Sequence, residues 1–283
     1  MSPGEWWNVQ ATIKGSARTF DHLICVVTGG TQGVGEAVAT HFAKQGAAGI
    51  VICGRDVDRG NAVRQTLEDL GTPSRFVLAN IDKEQDCRAV IEEAGEAFGR
   101  VDVLVNAAGT TLRNSILDFQ SSDVDYIFAV NVRGPMILMR EAIAIMRENG
   151  NGGSIVNVSS VVAKGGPPFL CAYSASKAAL ETLTRNAAYA VVRDQIRVNA
   201  IAPGEIDTPG QHAARKSFHR EPEDWLARVE PEQPFGRIIK PAELARAIAF
   251  LAGPDSGLMT GAVVHFDHSV PGAGLSPVPP PNR

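Results

Sequence analysis

The chain has 283 residues, enough for two average domains, but α/β folds of about 200–250 residues form a single one, and its 44% hydrophobic content supplies one large core. A net charge of −4 gives no electrostatic reason to expect nucleic acid or an anionic membrane as a partner. No apolar run reaches the ~18 residues of a membrane span, and Met1 to Gln10 lack the basic and apolar blocks of a signal peptide. The four cysteines (Cys25, Cys53, Cys87 and Cys171) show no C-x-x-C spacing, so reduced thiols in a cytoplasmic protein are expected.

In chain order, Leu23–Thr28 reads as a buried parallel strand that enters the turn Gly29-Gly30-Thr31-Gln32-Gly33-Val34-Gly35 and a helix from Glu36. Glycines allow a tight turn and close backbone approach, and the free N–H groups at the helix start attract a pyrophosphate. A mononucleotide P-loop is excluded because Glu36 stands where that motif needs Lys. A turn that only connects strand to helix stays open at this point. Further strands are expected at Gly49–Gly54, Ser74–Asn80, Val101–Asn106, Ser154–Ser160, Ile196–Ala200 and Ala262–Asp267. Helices lie between them, including Asp123–Arg147, Tyr173–Val192 and Pro241–Leu251, and such alternation implies parallel strands joined by helical crossovers.

Tyr173 and Lys177 sit four residues apart in Tyr173-Ser174-Ala175-Ser176-Lys177 and share one helix face. A phenol has an ordinary pKa of about 10 and is a poor base at neutral pH; an ammonium beside it would favour the ionised form. A half-buried Tyr next to a solvated Lys has the same spacing.

The glycine turn, Asn106-Ala107-Ala108-Gly109, Asn131 in Val130-Asn131-Val132, Ser160 thirteen residues before Tyr173, and the Tyr-x-x-x-Lys pair occur in one order. With Arg197-Val198-Asn199-Ala200-Ile201-Ala202-Pro203-Gly204 and Pro234-Phe235-Gly236-Arg237, this set resembles the short-chain dehydrogenase/reductase superfamily over Leu23 to Asp267. Ala107 replaces a usual Asn, Asn80 a common Asp, and His268-Ser269 a usual Gly-Gly. The resemblance implies a doubly wound Rossmann α/β fold, a parallel seven-stranded sheet with helices on both faces. One catalytic domain over 21–270 would then lie between tails at 1–20, which carry Trp6 and Trp7, and 271–283.

It also implies roles. Tyr173 would be the general acid/base, Lys177 would support the phenolate and bind the nicotinamide ribose, Ser160 would bond the reacting oxygen, and Asn131 would hold a water behind Lys177. Asn131 could instead serve only to tie two strands together. Ser159, by strand alternation, should point away from Ser160. Gly29, Thr31, Gln32, Gly33, Val34 and Gly35 would hold the cofactor phosphates, with Asn80 and Ile81 at the adenine. Asn106, Ala107 and Gly109 would line the adenosine and ribose channel; Thr208 would bond the carboxamide beside Pro203, Gly204 and Ile206.

Cofactor choice turns on the end of the second strand, where an acidic residue would bind a ribose 2′-hydroxyl. Gly54 stands there, followed by Arg55, whose planar donors suit a 2′-phosphate, so NADP is expected, with NAD the alternative. Asp56 either caps the next helix or reaches the ribose and restores NAD.

The long polar segment Glu205 to Arg237, with Gln211, His212, Arg215, Lys216, His219, Arg220, Asp224 and Trp225, would cap the substrate and suits a sugar or polyol. A solvated helical cap has the same composition. Arg113, Asn114 and Glu205 are further candidates for reading substrate polar groups, and Lys164–Phe169 would form a pocket wall. His265 and His268 lack a third ligand for a metal. The expected function is alcohol/ketone interconversion on a small polar molecule by a homotetramer or dimer. A dinucleotide-binding sensor without turnover and a reductase of apolar carbonyl compounds are the alternatives.

Overall fold

The structure is a computed structural model that describes residues 19–220 and 222–269. Seven strands form one sheet: β1 Ile24–Thr28, β2 Gly49–Gly54, β3 Ser74–Leu78, β4 Val103–Asn106, β5 Gly153–Val158, β6 Ile196–Pro203 and β7 Val263–Phe266. Their order is β3-β2-β1-β4-β5-β6-β7, and every neighbouring pair is parallel. The strands carry apolar runs because both sheet faces are covered. Cys25, Val27, Ile50 and Ile52 face one core, against Phe42, Leu244 and Ile248. Val26, Val51, Leu104 and Ile155 face the other, against Ile91, Leu138 and Met146.

The first layer contains α1 (Gly33–Lys44), α2 (Val57–Asp69) and α9 (Pro241–Ala252). The second contains α3 (Glu84–Phe98), α5 (Gly134–Asn149) and α6 (Cys171–Val191). Before α5 come α4 (Ser121–Phe128) and a π turn over Ala129–Arg133. The helix expected over Asp123–Arg147 is therefore interrupted at Asn131, and π turns of this kind tend to mark functional sites. After β6 come α7 (Pro209–His219) and the short α8 (Trp225–Val229). Among the described residues no helix is long and apolar enough to cross a membrane.

The expected tail at 1–20 includes Phe20, which packs against the core. Phe20 is fully buried and stacks on Phe42 with ring centroids 4.3 Å apart; such burial stabilises by about 1.5–3 kcal/mol. Trp6, Trp7 and the expected tail 271–283 lie outside the described residues.

Two residues of the Arg197–Gly204 motif have structural duties. Arg197, 4% exposed, donates to Leu251 O at 2.8 Å and Gly253 O at 2.8 Å, holding the carbonyl end of α9 against β6. Asn199 Nδ2 donates to Met259 O at 2.8 Å, and its Oδ1 accepts from Ala262 N at 3.0 Å, fixing the approach to β7.

Candidate active site

Helical connections reverse direction between β1 and β4, and the crevice above the carboxyl ends of these strands is where an open α/β sheet takes a ligand. Gly29, with φ +65°, passes so close to the next strand that a Cβ would lie 2.9 Å from Ala108 Cα. A Cβ on Gly35 would lie 2.2 Å from Gly29 O, so only glycine lets α1 begin against the turn. Gln32 precedes α1 without giving its first N–H groups a side-chain partner, leaving them to an anion. A cavity of about 590 Å³ follows this turn, the size of a cofactor site. Gly29, Thr31, Gln32, Gly33, Val34 and Gly35 line one side, Arg55, Asn80 and Ile81 the end, and Ala107, Gly109, Ile206 and Thr208 the opposite side. These residues fit a dinucleotide.

Of the expected cofactor set, Asn106, Pro203, Gly204, Tyr173 and Lys177 do not line it. Asn106 is 2% exposed and its Nδ2 donates to Asn157 Oδ1 at 2.8 Å, while Asn157 Nδ2 donates to Thr184 Oγ1 at 2.9 Å; the chain of amides ties β4, β5 and α6 together. Pro203 ends β6, and Gly204 N donates to Phe266 O at 3.2 Å, with Asp267 filling the space where a Cβ would be. Thr208 lines the cavity, yet its Oγ1 caps α7 by accepting from Gln211 N at 3.1 Å.

At the ribose end, Asp56 is the cap of α2. Its Oδ1 accepts from Arg59 N at 3.0 Å and its Oδ2 from Arg59 Nε at 2.8 Å, and these bonds hold the carboxyl below its ordinary pKa. Arg59 also donates to Gln32 Oε1, reaching across the cavity mouth to the glycine turn. Arg55 Nη1 donates to Tyr126 Oη at 3.0 Å. Two guanidinium groups therefore meet at this corner, where the sequence offered one. The signal for Arg59 was its place three residues after Asp56, where a helix start brings residue 59 back over its cap.

The catalytic candidates converge from three elements. Ser160 follows β5, Tyr173 and Lys177 lie on α6, and Asn131 sits in the π turn. Ser160 Oγ accepts from Val162 N at 3.4 Å and lies close enough to the Tyr173 phenol to bear on its ionisation. Ser159 instead donates to Glu181 Oε1 at 2.9 Å. Lys177 is 4% exposed; its Nζ donates to Val158 O at 2.7 Å and lies 5.7 Å from the Tyr173 ring centroid. Burial brings its pKa down to about 8.

Burial also raises the Tyr173 phenol above its ordinary value, opposed by the nearby Ser160 hydroxyl. Arg113 is a second cation near the phenol, and its charge opposes the effect of burial. Asn131 is fully buried: its Nδ2 donates to Thr110 O and Ser176 Oγ, each at 3.0 Å, and its Oδ1 accepts from Thr110 N at 2.9 Å.

The polar groups of the cap mostly pair with one another. Glu205 Oε1 accepts from Gln211 Nε2 at 2.5 Å and from Arg215 Nε at 2.9 Å. His212 accepts from Trp225 Nε1 at 3.0 Å through Nδ1 and contacts Asp207 Oδ1 at 2.7 Å through Nε2. Lys240 Nζ bonds Asp207 Oδ2 at 3.0 Å and Glu230 Oε1 at 2.7 Å. Lys216 and Asp224 form exposed pairs with Glu223 and Arg228, and Arg220 ends α7 with φ +53°. Asn114 serves the backbone, its Oδ1 accepting from Ala172 N at 3.0 Å. His268 Nε2 lies 3.9 Å from Asp267 Oδ1, and the described residues contain no group of three or more potential metal ligands.

A family model described as enoyl-(acyl carrier protein) reductase, of the short-chain dehydrogenase/reductase type, matches residues 29–269. The chain is 38% identical to a glucose 1-dehydrogenase of Gluconobacter oxydans over 86% of its own length and 89% of that protein. It is 34% identical to a cis-4-hydroxycyclohexanecarboxylate dehydrogenase of Sinomonas cyclohexanicum, over 88% and 96% of the two chains. A crystal structure of levodione reductase superimposes with a TM-score of 0.82 at 29% identity, covering 88% of this chain and 97% of that one. The chain belongs to the short-chain dehydrogenase/reductase family. It is an NAD(P)-dependent oxidoreductase.

Proposed function

We propose that the protein interconverts a secondary alcohol and a ketone on a small polar molecule, with Tyr173 as general acid/base. The convergence of Ser160 after β5 with Tyr173 and the buried Lys177 on α6, whose Nζ lies 5.7 Å from the Tyr173 ring centroid, carries this reading. When bound, the nicotinamide cofactor supplies or accepts the hydride. Tyr173 gives a proton to the carbonyl oxygen, or takes it from the alcohol; Ser160 donates to the same oxygen as charge develops there. Lys177 lies close to Gly109, where a Cβ would be 3.6 Å from Nζ and 3.4 Å from Asn131 Oδ1. That placement supports a role for Lys177 at the ribose and for Asn131 behind it.

NADP is the preferred cofactor in this reading, supported by Arg55 and Arg59 at one corner of the cavity and by the engagement of Asp56 as a helix cap. A sugar or polyol substrate is supported by likeness to the glucose 1-dehydrogenase. A cyclic substrate with an apolar body is the second reading. The self-paired cap and the partly exposed Phe169 and Phe218 favour it, as does likeness to the hydroxycyclohexanecarboxylate dehydrogenase. Met136 and Tyr189, exposed on α5 and α6, support assembly of copies through these helices into a dimer or tetramer.

The test is a nicotinamide absorbance assay with NADP⁺ and NAD⁺ against sugars, polyols and cyclic alcohols. Turnover is expected to fall by about 10²–10⁴-fold in Tyr173→Phe with cofactor affinity little changed. Retained turnover in that variant would overturn the acid/base assignment.

A further inference from the structure

Arg113 stands on the segment between β4 and α4, near the catalytic phenol, and none of the steps above uses it. Its guanidinium lies against two rings, with Cζ 5.3 Å from the centroid of Phe169 and 5.6 Å from that of Phe218. Its Nε is buried with no hydrogen-bond partner, and Nη2 has His219 Nε2 at 3.4 Å. Among the described residues no carboxylate lies within ion-pairing distance of Arg113. Glu205, near enough to act on its charge, is held by Arg215 at 2.5 Å and by Gln211 at 2.5 Å.

A half-buried cation walled by aromatic rings and lacking a counter-ion is costly unless a ligand supplies one. Its planar donors match a carboxylate better than any neutral hydroxyl. His219, edge-on to Phe169 with centroids 5.2 Å apart, is placed to contact the same anion.

We propose that Arg113 is the subsite for an anionic group of the substrate, so that the protein acts on hydroxy or keto acids whose carboxylate rests on Arg113 between Phe169 and Phe218. This rests on the alcohol/ketone reading and narrows its substrate class. The distance from the phenol to the guanidinium then sets which ring or chain position is oxidised, because one end of the molecule is pinned while the other meets Tyr173 and Ser160. A sugar or neutral polyol leaves the cation unpaired and is the poorer substrate.

The test is a binding titration of the cofactor-loaded protein with acetate, benzoate and cyclohexanecarboxylate, each compared with its uncharged carboxamide. None of these probes carries an oxidisable hydroxyl. The carboxylates are expected to bind the wild type about 10- to 100-fold more tightly than the amides. Arg113→Gln abolishes that preference, Arg113→Lys retains part of it, and cofactor affinity in both variants stays near wild type. Equal affinity of acid and amide for the wild type, across all three pairs, would overturn the proposal without needing any variant. A preference that survives in Arg113→Gln would overturn it as well. Failure of the acid/base reading appears elsewhere, as turnover that survives in Tyr173→Phe.

Discussion

Lys177 Nζ is held at 2.7 Å from Val158 O while standing 5.7 Å from the centre of the Tyr173 ring, so the lysine is anchored to the strand before it is available to the phenol. The two side chains share a helix face, as their spacing requires, but the buried end of β5 positions the ammonium. In the cofactor-free protein burial dominates both groups, lowering the lysine and raising the tyrosine.

That burial has a definite pH signature. The Lys177 pKa is about 8 in the folded protein, against about 10.4 for an unperturbed lysine. Below pH 8 both states are protonated and the buried charge is costly. Between about pH 8 and 10.4 the unfolded chain holds a proton that the folded chain has lost, so stability rises with pH in that window. Wild type should gain roughly 2 kcal/mol relative to Lys177→Met between pH 7 and 9.5, read by urea unfolding without cofactor. A difference that stays flat or falls would show that the ammonium is not desolvated.

Arg55 and Arg59 approach the cavity from β2 and α2, and they should act on NADP⁺ more than NAD⁺. Arg55→Ala and Arg59→Ala are each expected to raise KM for NADP⁺ by about 10-fold, the effect of one charge-assisted contact, with KM for NAD⁺ changed less than threefold. Arg59→Ala keeps the backbone N–H bond of the Asp56 cap but loses the Nε bond to Asp56 Oδ2, so its stability should be checked by thermal unfolding. Equal effects on both cofactors would place these residues outside the phosphate site.

Asn131 fills the π turn with three hydrogen bonds, to Thr110 O, Thr110 N and Ser176 Oγ. Asn131→Ala removes the partner of Thr110 N and Thr110 O, while Ser176 Oγ keeps its bond to Tyr173 O, and should destabilise the fold by about 1–3 kcal/mol. A purely structural asparagine predicts that turnover, measured well below the unfolding transition, survives. A role in proton supply predicts a fall in kcat with KM for the cofactor unchanged, and the kcat/KM split decides between them.

Much of the frame was legible locally. Gly49–Gly54 is observed as expected, the other strands differ at their ends, and the helix expected over Pro241–Leu251 continues one residue further, to Ala252. These segments are buried on both sheet faces, so their apolar runs report their structure directly. The interruption at Asn131 was not legible, because a π turn depends on what Asn131 bonds across the core and not on helix propensity.

The sequence by itself determined the alternation of strands and helices and the glycine turn, because each depends on backbone freedom or periodic spacing within a short segment, while the candidate catalytic set followed from its resemblance to a family. Tertiary structure decided how the polar side chains are used. Asn106 proved a strand tie, Glu205, Gln211, His212 and Arg215 became partners of other side chains, and Arg59 joined Arg55 at the cofactor corner. It also left Arg113 beside the phenol without a carboxylate. A polar residue has the same identity whether it meets solvent, substrate or a neighbour, and only contacts between segments distant in the chain settle which.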